Sequence, residues 1–482
     1  MDLGTSFGGQ MALAAPELIL AISAMAILVG GAFGGRGSST VASWSAVLAL
    51  IGAAVAAAWG DQGRAFGGVF IADDLAAFAK AAIYGMCAIS VVLGQHWLKR
   101  AGNAQFEFPV LILIAGLGMG LMASAGDLIS LYIGIELHSL ALYVLAAFQR
   151  DDAKSSEAGL KYFVLGALSS GLLLYGASLI YGFAGSVNFD LIARAVGEEA
   201  QGGVLFGLVF MICGLAFKVS AAPFHMWTPD VYEGAPTPTV AFFTTAPKMA
   251  ALVVFARLLF EAFPGAIEEW RQVVLIIALI SMGVGAFGGL LQRNLKRLLA
   301  YSSISNMGYA LLAISAGSEL GMQGLLIFMV LYMIDSMGLF ACLMALNRGG
   351  RAMETIGDFA GLSRVRPGMA VAVTVLAFSI AGVPPFSGFW AKYLYAFRPA
   401  IEAELWGPAV FGLLTGVVAA FYYLRLVKTM WFDPAPGQVD HPPIDARGIA
   451  FASALFAFPV VYLALAYLEP YATRAAQSLG LS

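Results

Sequence analysis

The sequence predicts an all-α polytopic membrane protein of about fourteen transmembrane helices, two of them broken, and three observations support this. Hydrophobic residues fill 60% of the 482 positions and charged residues 11%, with a mean hydropathy of +0.84. These values lie outside the range of soluble domains and inside that of polytopic membrane proteins. Apolar runs of roughly 18 to 25 residues, long enough to cross the hydrocarbon, recur from end to end and leave no room for a sizeable soluble domain. Two of the runs are interrupted at Pro223 and at Pro384-Pro385. Proline removes a backbone donor in mid-span, so each helix breaks there and its freed carbonyls need protein or water.

In chain order the predicted spans are Met11–Phe33, Val41–Trp59, Leu75–Leu98, Phe108–Ala123, Leu128–Phe148, Leu160–Phe183, Val204–Ala222, Thr239–Phe260, Val273–Leu291, Leu295–Ala316, Met322–Leu346, Met369–Phe397, Pro408–Trp431 and Gly448–Leu468. An even number of spans puts both termini on one side. Of the 26 basic residues, roughly fifteen fall in one set of alternate loops, among them Lys99, Arg100, Arg150, Lys154, Arg293, Arg348, Arg364 and Lys428. About five, Arg64, Arg194, Arg271, Arg398 and Arg474, fall in the other set. Basic loops stay inside, so both termini are expected outside, in the periplasm of a bacterial inner membrane.

Several function classes are excluded by what the chain lacks. The N-terminus MDLGTSFGGQMALAAPEL has neither a basic region before its first apolar run nor a clear small-residue cleavage site, so a cleaved signal peptide is not expected. Cys87, Cys213 and Cys342 lie in apolar segments at no ligand spacing and read as small core hydrophobes. With four histidines and no CxxC, no iron–sulfur, haem or zinc site is expected in this chain. No GxGxxG at a strand–helix junction and no Walker lysine support nucleotide binding, and no nucleic-acid partner is expected.

The two breaks resemble each other. Ala221-Ala222-Pro223-Phe224-His225-Met226-Trp227 and Val383-Pro384-Pro385-Phe386-Ser387-Gly388-Phe389-Trp390 each follow an apolar run, about 160 residues apart. The first falls in helix seven and the second in helix twelve. That odd offset would place two equivalent units in opposite orientations, as in transporters that build a midplane ion site from inverted repeats.

Charges inside apolar sequence are the candidate functional residues, because an ammonium in hydrocarbon costs at least a few kcal/mol. On helix five a 4-3-4 spacing puts Tyr132, Glu136, Ser139 and Tyr143 on one stripe. Glu136 is either a protonated carboxyl bonded to a neighbouring helix or the partner of a lysine. Lys218 sits one turn before the first break, with His225 seven residues on as a candidate proton relay. Burial disfavours the charge on Lys218 and a nearby Glu136 favours it, so moving the partner would switch the charge. Lys248 lies near the middle of helix eight, just after Pro247 and one turn after Thr244 and Thr245, far from either membrane face. Lys392 follows the second break by about two turns.

The remaining charges divide more evenly. Lys161 opens helix six and is either a path residue or a snorkelling one. Arg257 and Lys80 read as interfacial anchors, and Asp335 is a mid-span carboxylate without an assigned partner. Helix ten carries a polar stripe of Ser302, Ser305 or Asn306, and Tyr309, able either to order water between lysines or to bond neighbouring helices. His138 reads as an interhelical hydrogen bonder.

Four stretches then carry a resemblance: GIELHSLALYVLAAF, FKVSAAPFHMWTPDVYEGAPTPTVAFFTTAPKMA, KRLLAYSSISNMGYALL and AGVPPFSGFWAKYLY. They resemble the antiporter-like membrane subunits of bacterial respiratory NADH:quinone oxidoreductase (complex I). WTPDVYEGAPTP is closer to subunit N, the counterpart of mitochondrial NADH dehydrogenase subunit 2, than to the sister subunits L and M. The chain also ends soon after helix fourteen, without the lateral helix of subunit L, which favours N or M.

The resemblance implies N-terminal helices one to three (residues 1–100), a first unit of helices four to eight (101–265), an inverted second unit of helices nine to thirteen (266–435) and helix fourteen (436–482). By it, Glu136 and Lys218 match the family's glutamate–lysine pair, Lys248 its central lysine, and Lys392 its helix-twelve lysine. Lys161 and His225 match further polar residues of the central axis. Many relatives carry histidine where this chain has Asn306; asparagine holds a water but takes up no proton near neutral pH. The resemblance further implies no redox cofactor in this subunit, with FMN, iron–sulfur clusters and quinone in partner subunits, and subunits M and K as neighbours in the bilayer.

The function so implied is proton translocation coupled to electron transfer from NADH to quinone. An Mrp-type cation/proton antiporter subunit is the alternative that shares fold and lysines, and a purely structural linker of the membrane arm is the third reading.

Overall fold

The structure is a computed structural model that describes residues 6–35, 38–196 and 202–480. Residues 1–5, part of the stretch read for a signal peptide, and the C-terminal residues 481–482 lie outside the described residues. Among the described residues, eleven helices are long and apolar enough to cross a membrane, and the apolar helices Glu107–Ala123, Gly202–Lys218 and Pro367–Ala381 are shorter.

The chain forms two compact units. The first comprises Met1–Val219, Ala246–Val274 and Tyr471–Ser482; the second comprises Ser220–Thr245 and Leu275–Pro470. In the first unit the helices are α1 (Ala15–Phe33), α2 (Ser38–Trp59), α3 (Asp74–Arg100), α4 (Glu107–Ala123), α5 (Leu128–Ala146), α6 (Ala153–Ala184), α7 (Gly202–Lys218) and α8 (Ala246–Arg257). Between α2 and α3 the strands β1 (Gly63–Ala65) and β2 (Phe70–Ala72) pair as a short antiparallel hairpin. Aspartates start several of these helices by accepting otherwise orphaned N–H groups. Asp73 takes the amide of Ala76 at 2.8 Å to open α3, and Asp127 takes that of Ser130 at 2.6 Å to open α5.

Helices α6 and α7 approach closely at paired glycines, as membrane helices do where small residues let backbones meet. A Cβ on Gly176 would stand 2.5 Å from the Gly207 carbonyl oxygen, and one on Gly207 2.8 Å from the Gly176 oxygen. This contact sets α6 against the helix that carries Lys218. Gly207→Val is expected to wedge the two helices apart at a cost of about 1–3 kcal/mol, measurable as less folded protein recovered from membranes.

The second unit holds α9 (Ile267–Leu290) from Leu275 onward, α10 (Leu295–Ser315), α11 (Glu319–Ala345), α12 (Pro367–Ala381), α13 (Trp406–Phe432) and α14 (Ile444–Leu455). Its centre is α11, packed against α10, α12 and α14.

Both predicted breaks are present. α7 stops at Lys218, and the chain resumes as a helix only at Trp227–Gly234. α12 stops at Gly382, whose φ of +89° no branched side chain adopts easily, and the chain resumes at Ser387–Lys392. The Ala222–Pro223 and Pro384–Pro385 peptides are both cis.

Candidate functional site

In the first unit α5 presents Tyr132, Glu136, Ser139 and Tyr143, and the last turn of α7 presents Lys218. Lys218 Nζ donates to Ser139 Oγ at 2.9 Å, to Ser170 Oγ of α6 at 3.4 Å and to the Tyr143 hydroxyl at 3.5 Å. Glu136 Oε1 lies 4.0 Å from the same nitrogen. Ser170 Oγ accepts from Lys218 and donates to that carboxylate oxygen. The ion pair is thus open by one hydroxyl, and a serine that accepts on one side and donates on the other can pass a proton between the two charges.

Ser170 was not among the residues picked out from the sequence. The Ser169-Ser170 doublet was visible there, but nothing in the spacing said which face of α6 meets α5 and α7. Tyr132 is half-buried on the Glu136 stripe.

Three expectations need correction in this unit. His138 Nδ1 bonds the Ile135 carbonyl at 2.8 Å, within its own helix and not across to another. Arg257 is no interfacial anchor: fully buried, it binds both oxygens of Asp73 at 2.7 and 2.9 Å, the Ala123 carbonyl at 3.1 Å and Glu261. Lys80 is likewise internal, paired with Glu17 at 2.7 Å. Lys161, whose side chain is 41% exposed, pairs with Glu157 at 2.7 Å one turn earlier on the same face of α6.

Lys248 opens α8 immediately after Pro247. At 1% exposure its ammonium reaches no solvent, so it does not snorkel. Its helix packs against α3, α4 and α7.

In the second unit Lys392 Nζ donates to the carbonyls of Ile380 at 2.8 Å and Ala381 at 3.3 Å, which the break leaves without helical partners. The nitrogen lies over the Tyr309 ring, 4.9 Å from its centroid. The partner missing from the sequence reading is supplied here. Asp335 of α11 accepts from Ser379 at 2.6 Å and, with both oxygens, from Ser387 at 3.0 Å. Ser379 precedes Ile380 and Ser387 opens the resumed helix, so one carboxylate clamps both sides of the break next to Lys392.

The helix-ten stripe is buried. Ser302 bonds the Tyr423 hydroxyl, and Asn306 Nδ2 donates back to the Ser302 carbonyl at 2.9 Å and to Ser302 Oγ at 3.3 Å. Ser305 is 2% exposed. Thr244 donates to the Ala241 carbonyl at 3.0 Å and lines, with Ser302, Tyr332 and Ser336, a cavity of about 10 Å³, the size of a single water site. His225 lies half-buried in the turn after the first break.

A family model described as "NADH:quinone oxidoreductase/Mrp antiporter, TM" matches residues 125–419. The chain is 60% identical to an NADH-quinone oxidoreductase subunit N of Caulobacter sp. (strain K31), covering 98% of this chain and 99% of the relative. It is 49% identical to NADH-quinone oxidoreductase subunit N 1 of Rhizobium meliloti (strain 1021), over 94% of this chain and 95% of the relative. Among solved structures, a chain of respiratory complex I from Thermus thermophilus with bound aureothin matches with a TM-score of 0.80 and 32% identity, over 95% of this chain and 99% of that one. A chain of the Mrp complex from Dietzia sp. DQ12-45-1b shares the fold at a TM-score of 0.84 and 22% identity, over 96% and 97% of the two chains.

Proposed function

Because the chain belongs to the NADH:quinone oxidoreductase/Mrp antiporter family, we propose that it works as subunit N of NADH-quinone oxidoreductase and moves protons through its buried Glu and Lys residues. The observation that carries this reading is the Lys218–Ser170–Glu136 bridge, an ion pair held open by one hydroxyl inside apolar sequence. Electron transfer from NADH to quinone is placed in partner subunits, and this chain receives its energy as an electrostatic or conformational signal. Opening or closing the Glu136–Lys218 pair changes the affinity of Lys248 for a proton. Lys392, steadied by Asp335, is the later station, reached through water that the Ser302, Ser305 and Asn306 stripe orders. Like charges at close range in a medium of low effective dielectric repel by several kcal/mol, enough to shift proton occupancy by orders of magnitude. His225 and Lys161 are assigned supporting positions at the ends of this path.

The same reading gives the chain fourteen transmembrane helices, with inverted five-helix units at residues 101–265 and 266–435 between an N-terminal part, 1–100, and a C-terminal helix, 436–482. It places both termini in the periplasm and makes the neighbouring subunits M and K its contacts in the membrane arm. Two broken helices and the excess of basic residues in alternate loops support it.

Glu136→Gln tests the pair. The glutamine still accepts from Ser170 but leaves Lys218 without its counter-charge. In membrane vesicles with the complex assembled, NADH-driven quinone reduction and proton uptake are expected to fall together, by about threefold to tenfold, the scale of roughly 1 kcal/mol in a barrier. An assembled variant with both activities intact removes the pair from the mechanism.

A further inference from the structure

The proposed path leaves one buried acid–base pair unused. Glu17, in the first turn of α1, and Lys80, about 9 Å along α3 from its start, pair at 2.7 Å with side chains 6% and 3% exposed. Lys80 Nζ also sits 4.6 Å from the centre of the Phe70 ring, and the Tyr84 hydroxyl donates to Glu17 Oε1 at 3.3 Å. The close contacts fall on Oε1, while Oε2 is buried with no hydrogen bond. Gly120 of α4 makes room for the pair, since a Cβ there would stand 2.7 Å from Glu17 Oε1 and overlap the Tyr84 hydroxyl.

A funnel reaches Lys80 of this pair. A cavity of about 50 Å³, bordered by Asp61, Gln62, Asp73, Asp74 and Lys80, lies where the α2–α3 connection meets α1, with room for about three waters. An apolar pair would hold these helices at least as well, because desolvation often cancels the attraction of buried ions. A carboxylate whose second oxygen is buried without a hydrogen bond, paired with the ammonium that borders this acidic, water-sized path, is suited to take and release a proton.

We propose that the Glu17–Lys80 pair is a proton-binding site, filled through this funnel from the face that carries the β1–β2 hairpin. It rests on the proton-translocating reading above. The groups that face the pair are Tyr84, with Cys87 behind it on α3, and the funnel aspartates Asp61, Asp73 and Asp74. α3 packs on α8, the helix of Lys248.

The test uses the assembled complex in inverted vesicles, where the hairpin face, periplasmic in the proposed orientation, lines the lumen. Proton uptake per quinone reduced is followed as lumenal pH is varied, in the wild type and in the double variant Glu17→Gln/Lys80→Met, which removes both charges and keeps the packing. The expected result is an assembled variant whose uptake has lost its dependence on lumenal pH. An assembled variant that keeps the wild-type pH profile overturns the proposal and leaves the pair structural. If the variant does not assemble, Ala77→Cys in the funnel decides: labelling by a membrane-impermeant thiol reagent from the hairpin face supports the path, and no labelling overturns it. Lys248→Ala separates this idea from its premise. Loss of pumping there, with an unchanged profile in the double variant, defeats only the Glu17–Lys80 site; normal pumping in Lys248→Ala defeats the premise.

Discussion

Lys248→Ala is expected to lower both NADH-driven quinone reduction and proton uptake by more than about tenfold in a complex that still assembles, a loss of at least roughly 1.4 kcal/mol in the coupled step. Lys248 is the one ionisable residue of α8 before Arg257, and Arg257 is locked between Asp73, Glu261 and the Ala123 carbonyl. Alanine therefore leaves the buried length of α8 without a group that can take up and give back a proton. Two further variants show whether charge or exchange matters. Lys248→Met keeps the length and loses the charge, and is expected to behave like alanine. Lys248→Arg keeps the charge but cannot release its proton, and is expected to fail as well. Activity restored by arginine would mean that Lys248 serves as a fixed charge and not as a proton carrier.

The spacing of residues went far toward this site because membrane helices impose strict rules. Composition and run length set the class, and proline placed both breaks within a few residues of where α7 and α12 end. The stripe from Tyr132 to Tyr143 marks Glu136 as either a protonated carboxyl or the partner of a lysine, since helical periodicity fixes which side chains share a face, and the family resemblance supplies Lys218 as that lysine. Periodicity does not say which helix lies opposite. Ser170 went unnoticed for that reason. So did the true setting of Lys80 and Arg257, whose positions near helix ends resemble those of anchors, while Glu17, the partner of Lys80, and Asp73, the partner of Arg257 besides the neighbouring Glu261, lie 63 and 184 residues away in sequence. Asp335 showed the same limit. Its partners, Ser379 and Ser387, stand on either side of a proline break, and the path of the chain through such a break follows from packing and not from any period.

That clamp supports a strong expectation. Asp335→Asn should lower proton uptake and quinone reduction by about tenfold, equivalent to roughly 1.4 kcal/mol, while the complex still assembles. Asparagine is nearly the same size, so its oxygen can still accept from Ser379 or Ser387, and its amide can donate to the other hydroxyl. The break from Gly382 to Phe386 then stays folded. What is lost is the negative charge beside Lys392, whose nitrogen is otherwise held by the dipoles of the Ile380 and Ala381 carbonyls at the end of α12 and by the face of the Tyr309 ring. Asp335→Leu separates the two roles: it removes the acceptor as well, leaves one of the two mutually bonded serine hydroxyls without an acceptor at about 1–3 kcal/mol, and should reduce assembly itself. Ser387→Ala keeps the charge and should cost less activity than Asp335→Asn. If Asp335→Asn pumps normally while Ser387→Ala does not, the carboxylate matters for the shape of the break, and Lys392 works without a counter-ion.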